Sequence, residues 1–232
     1  MVVAAGFRVT GGAVVRYGVL GTGGVGRTIA DKLVALGHEV TIGSRSRGNE
    51  NAVAWAEQAG PTGHAGTFAD AAEFGAVVVN ATAGTVSLDA LRAAGAERLA
   101  GKVLIDLSNP LVFSPEGAVT LDPVNTDSVG ERIQREFPRT RVVKALNTLT
   151  APLMVDPARL PGEHNVFVAG DDADAKAEVV AVLAEFGWPA GSVIDLGDIA
   201  GARALEMTMP FWIRLMQSFG TAEFNYSFTR AK

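Results

Sequence analysis

Short apolar runs bounded by glycine-rich turns recur along this chain, and most are followed by a stretch whose apolar residues return every three or four positions. Continuous runs of this kind mark strands buried on both faces, and the longer period marks helices lying against them. The first unit is Tyr17-Gly18-Val19-Leu20, a turn through Gly21-Thr22-Gly23-Gly24-Val25-Gly26, and a helix with Ile29, Leu33 and Leu36 on its apolar side. Glu39-Val40-Thr41-Ile42 reads as a second strand, Asn51 to Gln58 as a short helix, and His64 to Phe68 as a third strand followed by a helical turn at Ala69 to Phe74. A fourth strand, Ala76 to Ala81, leads through Thr82-Ala83-Gly84 into a helix from Ser87 to Ala94. Lys102 to Asp106 is the fifth, and the proline of Leu107-Ser108-Asn109-Pro110 keeps a helix from starting at once.

Glu131 to Phe137 is helical by pattern, and Arg141 to Leu146 is a sixth strand ending in Asn147-Thr148. Val166 to Ala169 follows, then a helix capped by Asp172 with Ala177, Val180, Leu183 and Phe186 on its apolar side. After Val193 to Leu196, Asp198 caps a last helix running to Phe219, with Pro210 as a kink point. This alternation predicts an α/β fold of the Rossmann type, a doubly wound and mostly parallel sheet with a small C-terminal strand–helix portion. Residues 1–150 are expected to form the nucleotide-binding domain, and residues 151–232 a portion that completes an acceptor pocket and a dimer interface. Met207, Met209, Phe211, Trp212, Leu215, Met216 and Phe219 offer more apolar surface than one sheet face covers, so a homodimer is expected.

The glycine turn carries the first chemistry. Gly21 allows a tight turn, Gly23 lets backbone approach a pyrophosphate, and Gly26 lets helix pack closely on strand, leaving helix N–H groups aimed at phosphate. The second strand then runs into Gly43-Ser44-Arg45-Ser46-Arg47, where an NAD enzyme carries an acidic residue for the ribose hydroxyls and this chain has none. Ser44 can donate to a 2′-phosphate, and Arg45 or Arg47 can form charge-assisted bonds to it, so NADP is expected over NAD.

Composition narrows the partners. With 232 residues, 48% of them hydrophobic, the chain can bury a sizeable core, and no apolar run approaches the roughly 20 residues needed to span a bilayer. A formal charge of −5 offers no broad attraction for nucleic acid. The lack of cysteine excludes disulfides and a thiol nucleophile, so redox chemistry requires a bound cofactor. Met1 to Val15 lacks a basic stretch before its apolar residues and reads as an extension rather than a signal peptide, which places the protein in the cytoplasm. His38, His64 and His164 are scattered, so no metal site is expected, and His38 reads as a helix-end residue.

The sequence resembles the F420-dependent NADP reductase family. The resemblance rests on Gly21 to Gly26, on Gly37-His38-Glu39-Val40 leading to Gly43-Ser44-Arg45, on Val143-Lys144-Ala145-Leu146-Asn147-Thr148, and on Ala169-Gly170-Asp171-Asp172. It implies hydride transfer between NADP and coenzyme F420, with Thr22, Gly23, Gly24 and Val25 at the phosphate turn, Ser44 and Arg45 as the 2′-phosphate clamp, and Ala151 near the nicotinamide. The chain departs from the family at Ala81-Thr82-Ala83, where F420-using members often carry a Thr-Ile-Pro type turn, and at Asn147, where some carry histidine. Domains with asparagine there are similar to the reductase part of membrane ferric reductases, so FMN or FAD stands beside F420 as acceptor.

Hydride transfer requires two rings held face to face away from water, and no acid–base residue is obligatory. The acceptor is expected over the nicotinamide, among Thr82-Ala83-Gly84, Ser108-Asn109-Pro110, Asn147-Thr148 and the C-terminal helix. Asn147 is the candidate orienting residue, since its amide offers donors and an acceptor, although an asparagine ending a strand can simply cap a turn. Asp106 and Asp171 are read as structural. The alternatives are a non-catalytic NADP-binding module and a reductase of a small carbonyl or imine, for which neither Tyr17 nor Tyr226 is well placed as a proton donor.

Overall fold

The computed structural model describes residues 13–116, 118–229 and 231, so most of the expected extension, residues 1–12, lies outside the described residues. The strands are β1 (Arg16–Leu20), β2 (Glu39–Ser44), β3 (Gly63–Thr67), β4 (Val77–Asn80), β5 (Val103–Asp106), β6 (Leu111–Phe113), β7 (Val119–Leu121), β8 (Arg141–Ala145), β9 (Val166–Ala169) and β10 (Val193–Asp195). The helices are α1 (Gly24–Ala35), α2 (Glu50–Ala59), α3 (Phe68–Phe74), α4 (Gly84–Ala94), α5 (Ala96–Leu99), α6 (Val129–Glu136), α7 (Ala151–Val155), α8 (Ala173–Phe186), α9 (Gly201–Met207) and α10 (Met209–Phe219).

Eight strands form one sheet in the order β10-β9-β8-β5-β4-β1-β2-β3, while β6 and β7 make a separate antiparallel hairpin. Pairing is parallel from β3 through to β8, turns antiparallel between β8 and β9, and is parallel again between β9 and β10. Strand order reverses between β1 and β4, which opens a crevice beyond their carboxyl ends, the place where ligands bind in open α/β sheets.

Alternate residues along each strand face opposite cores. Val19, Ile42, Val79, Ile105 and Val143 pack with α1, α2, α7 and α8 on one side. Leu20, Val78, Leu104 and Val142 pack with α3, α4, α5, α6 and α9 on the other. Helices on both faces and a mostly parallel sheet make this the Rossmann-type architecture.

The structure corrects several local expectations. Leu36 is the C-cap of α1 and 39% exposed, because the helix ends before it could turn onto the core. The expected single helix to Phe219 is two helices that meet at Thr208, with Pro210 in the first turn of the second, where its missing N–H costs no hydrogen bond. Asp198 bonds Ala200 N in the preceding turn and is not the N-cap, a position held by Ala200. Of α10, Met209 alone is buried, and Phe211 and Phe219 are each 58% exposed. Among the described residues no helix is long and apolar enough to cross a membrane.

Candidate active site

The turn after β1 has the shape its glycines predict. Gly21 has a positive φ of 117°, and its N–H donates to Gly43 O at 3.0 Å, tying the turn to the end of β2. A Cβ on Gly26 would lie 2.1 Å from Gly21 O, so α1 can approach the turn only without a side chain there. A Cβ on Gly23 or Gly24 would meet nothing within 4 Å. Gly23 is the N-cap of α1, no side chain caps the helix, and its first turn carries no acidic residue. Free N–H groups, the positive end of the helix and open space over the backbone together fit a pyrophosphate. Arg27, which the glycine pattern does not single out, sits one residue past the fingerprint and donates from Nη1 to Thr22 O at 3.2 Å. Val25 is partly buried against the core.

At the end of β2 the candidate clamp divides. Arg45 is exposed, whereas the Ser44 hydroxyl is buried and spent within the turn, donating to Ser46 O at 2.6 Å and accepting from Ser46 N at 3.2 Å. Ser44 thus shapes the loop that presents the arginines. Arg47 pairs with Asp70 at 2.8 Å. Asp70 also closes a capping box with Thr67 at the start of α3, and the hydrogen bonds from the Thr67 backbone and side chain, helped by Arg47, hold its carboxyl below the usual range. The Thr67-to-Asp70 spacing is the sequence signal that could have revealed this partner.

The loops after β4, β5 and β8 interlock at the same end of the sheet. Gly84 N donates to Asn109 O at 3.0 Å, and a Cβ on Gly84 would lie 2.3 Å from that oxygen. Asn109 Nδ2 donates to Asn147 O at 2.8 Å, and Asn147 Nδ2 donates to Asn109 Oδ1 at 2.9 Å. Leu146, just before, has a φ of 63°, a left-handed conformation that costs a non-glycine residue on the order of 1–3 kcal/mol and is held by the buried surroundings. One N–H of the Asn147 amide is therefore committed to Asn109. Its Oδ1 is buried with no partner, as are Ser108 Oγ and Thr150 Oγ1. Thr82 is partly buried and bonds Asn80, Ala83 is exposed as the N-cap of α4, and Ala151 opens α7, which packs against α1. Thus Thr82, Ala83, Asn147 and Ala151 all lie at the carboxyl-end loops with the glycine turn.

The remaining titratable candidates lie elsewhere. His38 is buried and contacts Glu185 Oε2 through Nε2 at 2.9 Å, while Nδ1 accepts from Val15 N at 3.3 Å. Tyr17 is 2% exposed beside His38, and burial, reinforced by Glu185, pushes its phenol well above the usual range, so it cannot serve as a proton donor at the strand ends. Asp171 accepts from Ile199 N at 2.9 Å, the structural role expected of it. No group of histidine and carboxylate side chains able to hold a metal occurs among the described residues.

Comparison with known proteins agrees with this geometry. Residues 16–110, from β1 to the loop after β5, match the family described as NADP oxidoreductase, coenzyme F420-dependent. The F420-dependent NADP reductase of Methanothermobacter marburgensis is 33% identical over 208 residues, covering 84% of this chain and 89% of the relative. Metalloreductase STEAP3 of Rattus norvegicus is 28% identical over 215 residues, 85% of this chain, but this chain spans 38% of that protein's length. A crystal structure from Arthrobacter sp. FB24, to which F420-dependent NADP reductase activity is ascribed, superimposes with a TM-score of 0.88 at 52% identity, over 94% of this chain and all of the other. The chain belongs to the F420-dependent NADP reductase family, a family of NADP oxidoreductases.

Proposed function

We propose that this protein exchanges a hydride between NADP(H) and the deazaflavin coenzyme F420. The nucleotide half of the reading is carried by the pairing of an open, uncapped α1 N-terminus with a β2 end that presents Arg45 and lacks a carboxylate, and the acceptor half by the similarity to the Methanothermobacter marburgensis reductase. When both are bound, NADPH supplies hydride from C4 of its nicotinamide, the deazaflavin takes it at C5 and a solvent proton at N1, and NADP+ remains.

In this reading Gly21 to Gly26 seat the pyrophosphate, Arg45 binds the 2′-phosphate, and Arg47 can reach it by leaving Asp70. Ser44 holds the loop. The Asn147 Oδ1 acceptor takes an N–H from the nicotinamide carboxamide, and Ala151, being small, leaves room for the ring. Thr82 and Ala83 border the acceptor, and residues 151–232 complete its pocket. The exposed apolar face of α10 pairs with a second copy of the chain, giving a homodimer.

An assay of NADPH oxidation with F420, FMN, FAD and a ferric chelate tests the acceptor. Turnover with F420 well above the others supports the reading. Faster turnover with FMN or FAD would assign the site to flavin, the alternative raised by Asn147 and the resemblance to the reductase part of membrane ferric reductases.

A further inference from the structure

Beneath the interlocked loops, on the face covered by α4, α6 and α9, three ionisable side chains meet away from water. Lys144 and Asp106 have 0% of their side chains exposed and Glu206 has 2%. Lys144 Nζ lies 2.9 Å from Asp106 Oδ2 and 2.7 Å from Glu206 Oε1, and it also donates to Ser108 O. Asp106 Oδ1 accepts from Asn80 Nδ2 at 2.8 Å and Ser108 N at 3.2 Å. Glu206 Oε2 accepts from Val129 N at 2.8 Å and Oε1 from Gly130 N at 3.1 Å. These partners are all donors. A protonated carboxyl would need an acceptor, so both groups are carboxylates. Burial alone would drive the Lys144 ammonium toward neutrality, but the two carboxylates more than reverse this and hold it above the usual lysine range.

One cation and two anions leave an excess of negative charge. The α6 N-terminus, on which Glu206 sits, offsets roughly half an elementary charge of it. Arg203 lies nearby but is spent on Glu131 and is partly exposed. The cluster stays net negative, and in a buried setting its field is weakly screened. Stability alone is a poor reason for such a cluster, since buried ion pairs are often no better than apolar residues of the same size.

Its position supplies a better reason. Asn80 and Asp106 are the last residues of β4 and β5, Lys144 is the penultimate residue of β8, and Asn80 Oδ1 accepts from Thr82 Oγ1 at 2.7 Å in the loop above. We propose that this cluster biases the bound nucleotide toward its oxidised form, with Glu206 as the positioning residue that sets the negative excess. The inference rests on the reading above, which places the nicotinamide over these strand ends. Loss of hydride leaves that ring with a positive charge, so a fixed negative excess below it favours NADP+ over NADPH.

The test compares wild type with Glu206→Gln, which removes one charge and keeps the side-chain size but turns an amide NH2 toward partners that are all donors, so its fold is checked by circular dichroism first. Both are titrated calorimetrically with NADP+, NADPH and 2′-phospho-ADP-ribose, which lacks the nicotinamide. The expected result is a shift of relative affinity toward NADPH by about threefold or more, with 2′-phospho-ADP-ribose unchanged. An unchanged ratio in the folded variant overturns the proposal. Should Glu206→Gln fail to fold, Asp106→Asn removes the same charge and must move the ratio the same way; no movement there also overturns it. If wild type binds none of the three, the cofactor reading itself falls and this inference with it, whereas tight binding with an unmoved ratio sinks only the inference.

Discussion

Asn109 and Asn147, in the loops that follow the adjacent strands β5 and β8, exchange hydrogen bonds in both directions, at 2.8 and 2.9 Å. Because Asn109 must donate to the Asn147 carbonyl, its own Oδ1 faces the Asn147 amide nitrogen, and this fixes the orientation of both amides. Beyond that pair, Asn147 retains its second N–H and a buried Oδ1 acceptor without a partner. A ligand at this site must bring a donor to it. NADP+, with a carboxamide, should bind more tightly than its 3-acetylpyridine analogue, which has no N–H there, and Asn147→Ala should reduce that preference by about 0.5–1.5 kcal/mol. Equal discrimination in wild type and variant would remove Asn147 from the nicotinamide site.

Arg45 is the exposed cation closest in sequence to the end of β2. Arg45→Ala should weaken NADPH by about 1.5–3 kcal/mol, the range for hydrogen bonds to a charged group, and leave NADH nearly untouched. Fluorescence titration of the two nucleotides reads the difference. If both weaken alike, Arg45 shapes the loop and does not read the phosphate.

Two glycines of one turn should fail in opposite ways. Gly23→Val places its side chain in open space, so the domain should keep its melting temperature and lose either nucleotide. Gly26→Ala puts a Cβ 2.1 Å from Gly21 O and should lower the melting temperature as α1 is pushed off the turn. Calorimetry and circular dichroism on the pair separate binding from folding, and normal binding by Gly23→Val would place the pyrophosphate elsewhere.

The α10 surface carries the dimer proposal. Trp212 stacks on Phe224 with ring centroids 5.2 Å apart, but Phe211 and Phe219 are each 58% exposed, so α10 presents apolar surface that the described residues leave uncovered. Trp212→Glu should shift the protein toward monomer in sedimentation and lower acceptor reduction, while NADPH affinity stays within a few fold. A wild type that sediments as monomer across micromolar concentrations would rule the interface out.

The strand, glycine turn and helix of the candidate nucleotide site were legible because their signals are local. Strand, glycine turn and helix lie within residues 16–35, and Arg45 follows one strand later, so period and turn chemistry suffice to place them. The rest depends on partners distant along the chain. Glu206 reads as an ordinary solvated helix residue until Lys144 and the α6 N-terminus close around it. One amide N–H of Asn147 is taken by a residue 38 positions away. The β6–β7 hairpin was missed because three-residue strands carry too little alternation to register, and α7 because five residues span little more than one helical turn. The helix break at Thr208 was anticipated at Pro210 only as a kink, since the apolar spacing continues across it.

Transfer of isotope between the two coenzymes tests the central claim most directly. A hydrogen placed on C5 of a deazaflavin is bonded to carbon and does not wash out into water. The enzyme is incubated in ordinary water with F420 and NADPH deuterated at C4 on one face, then on the other, and the reduced F420 is examined by mass spectrometry. The account predicts one deuterium in the product from one of the two labelled faces and none from the other. Reduced F420 without deuterium from either face, or no reduction while NADPH is bound, would contradict direct hydride transfer at this site.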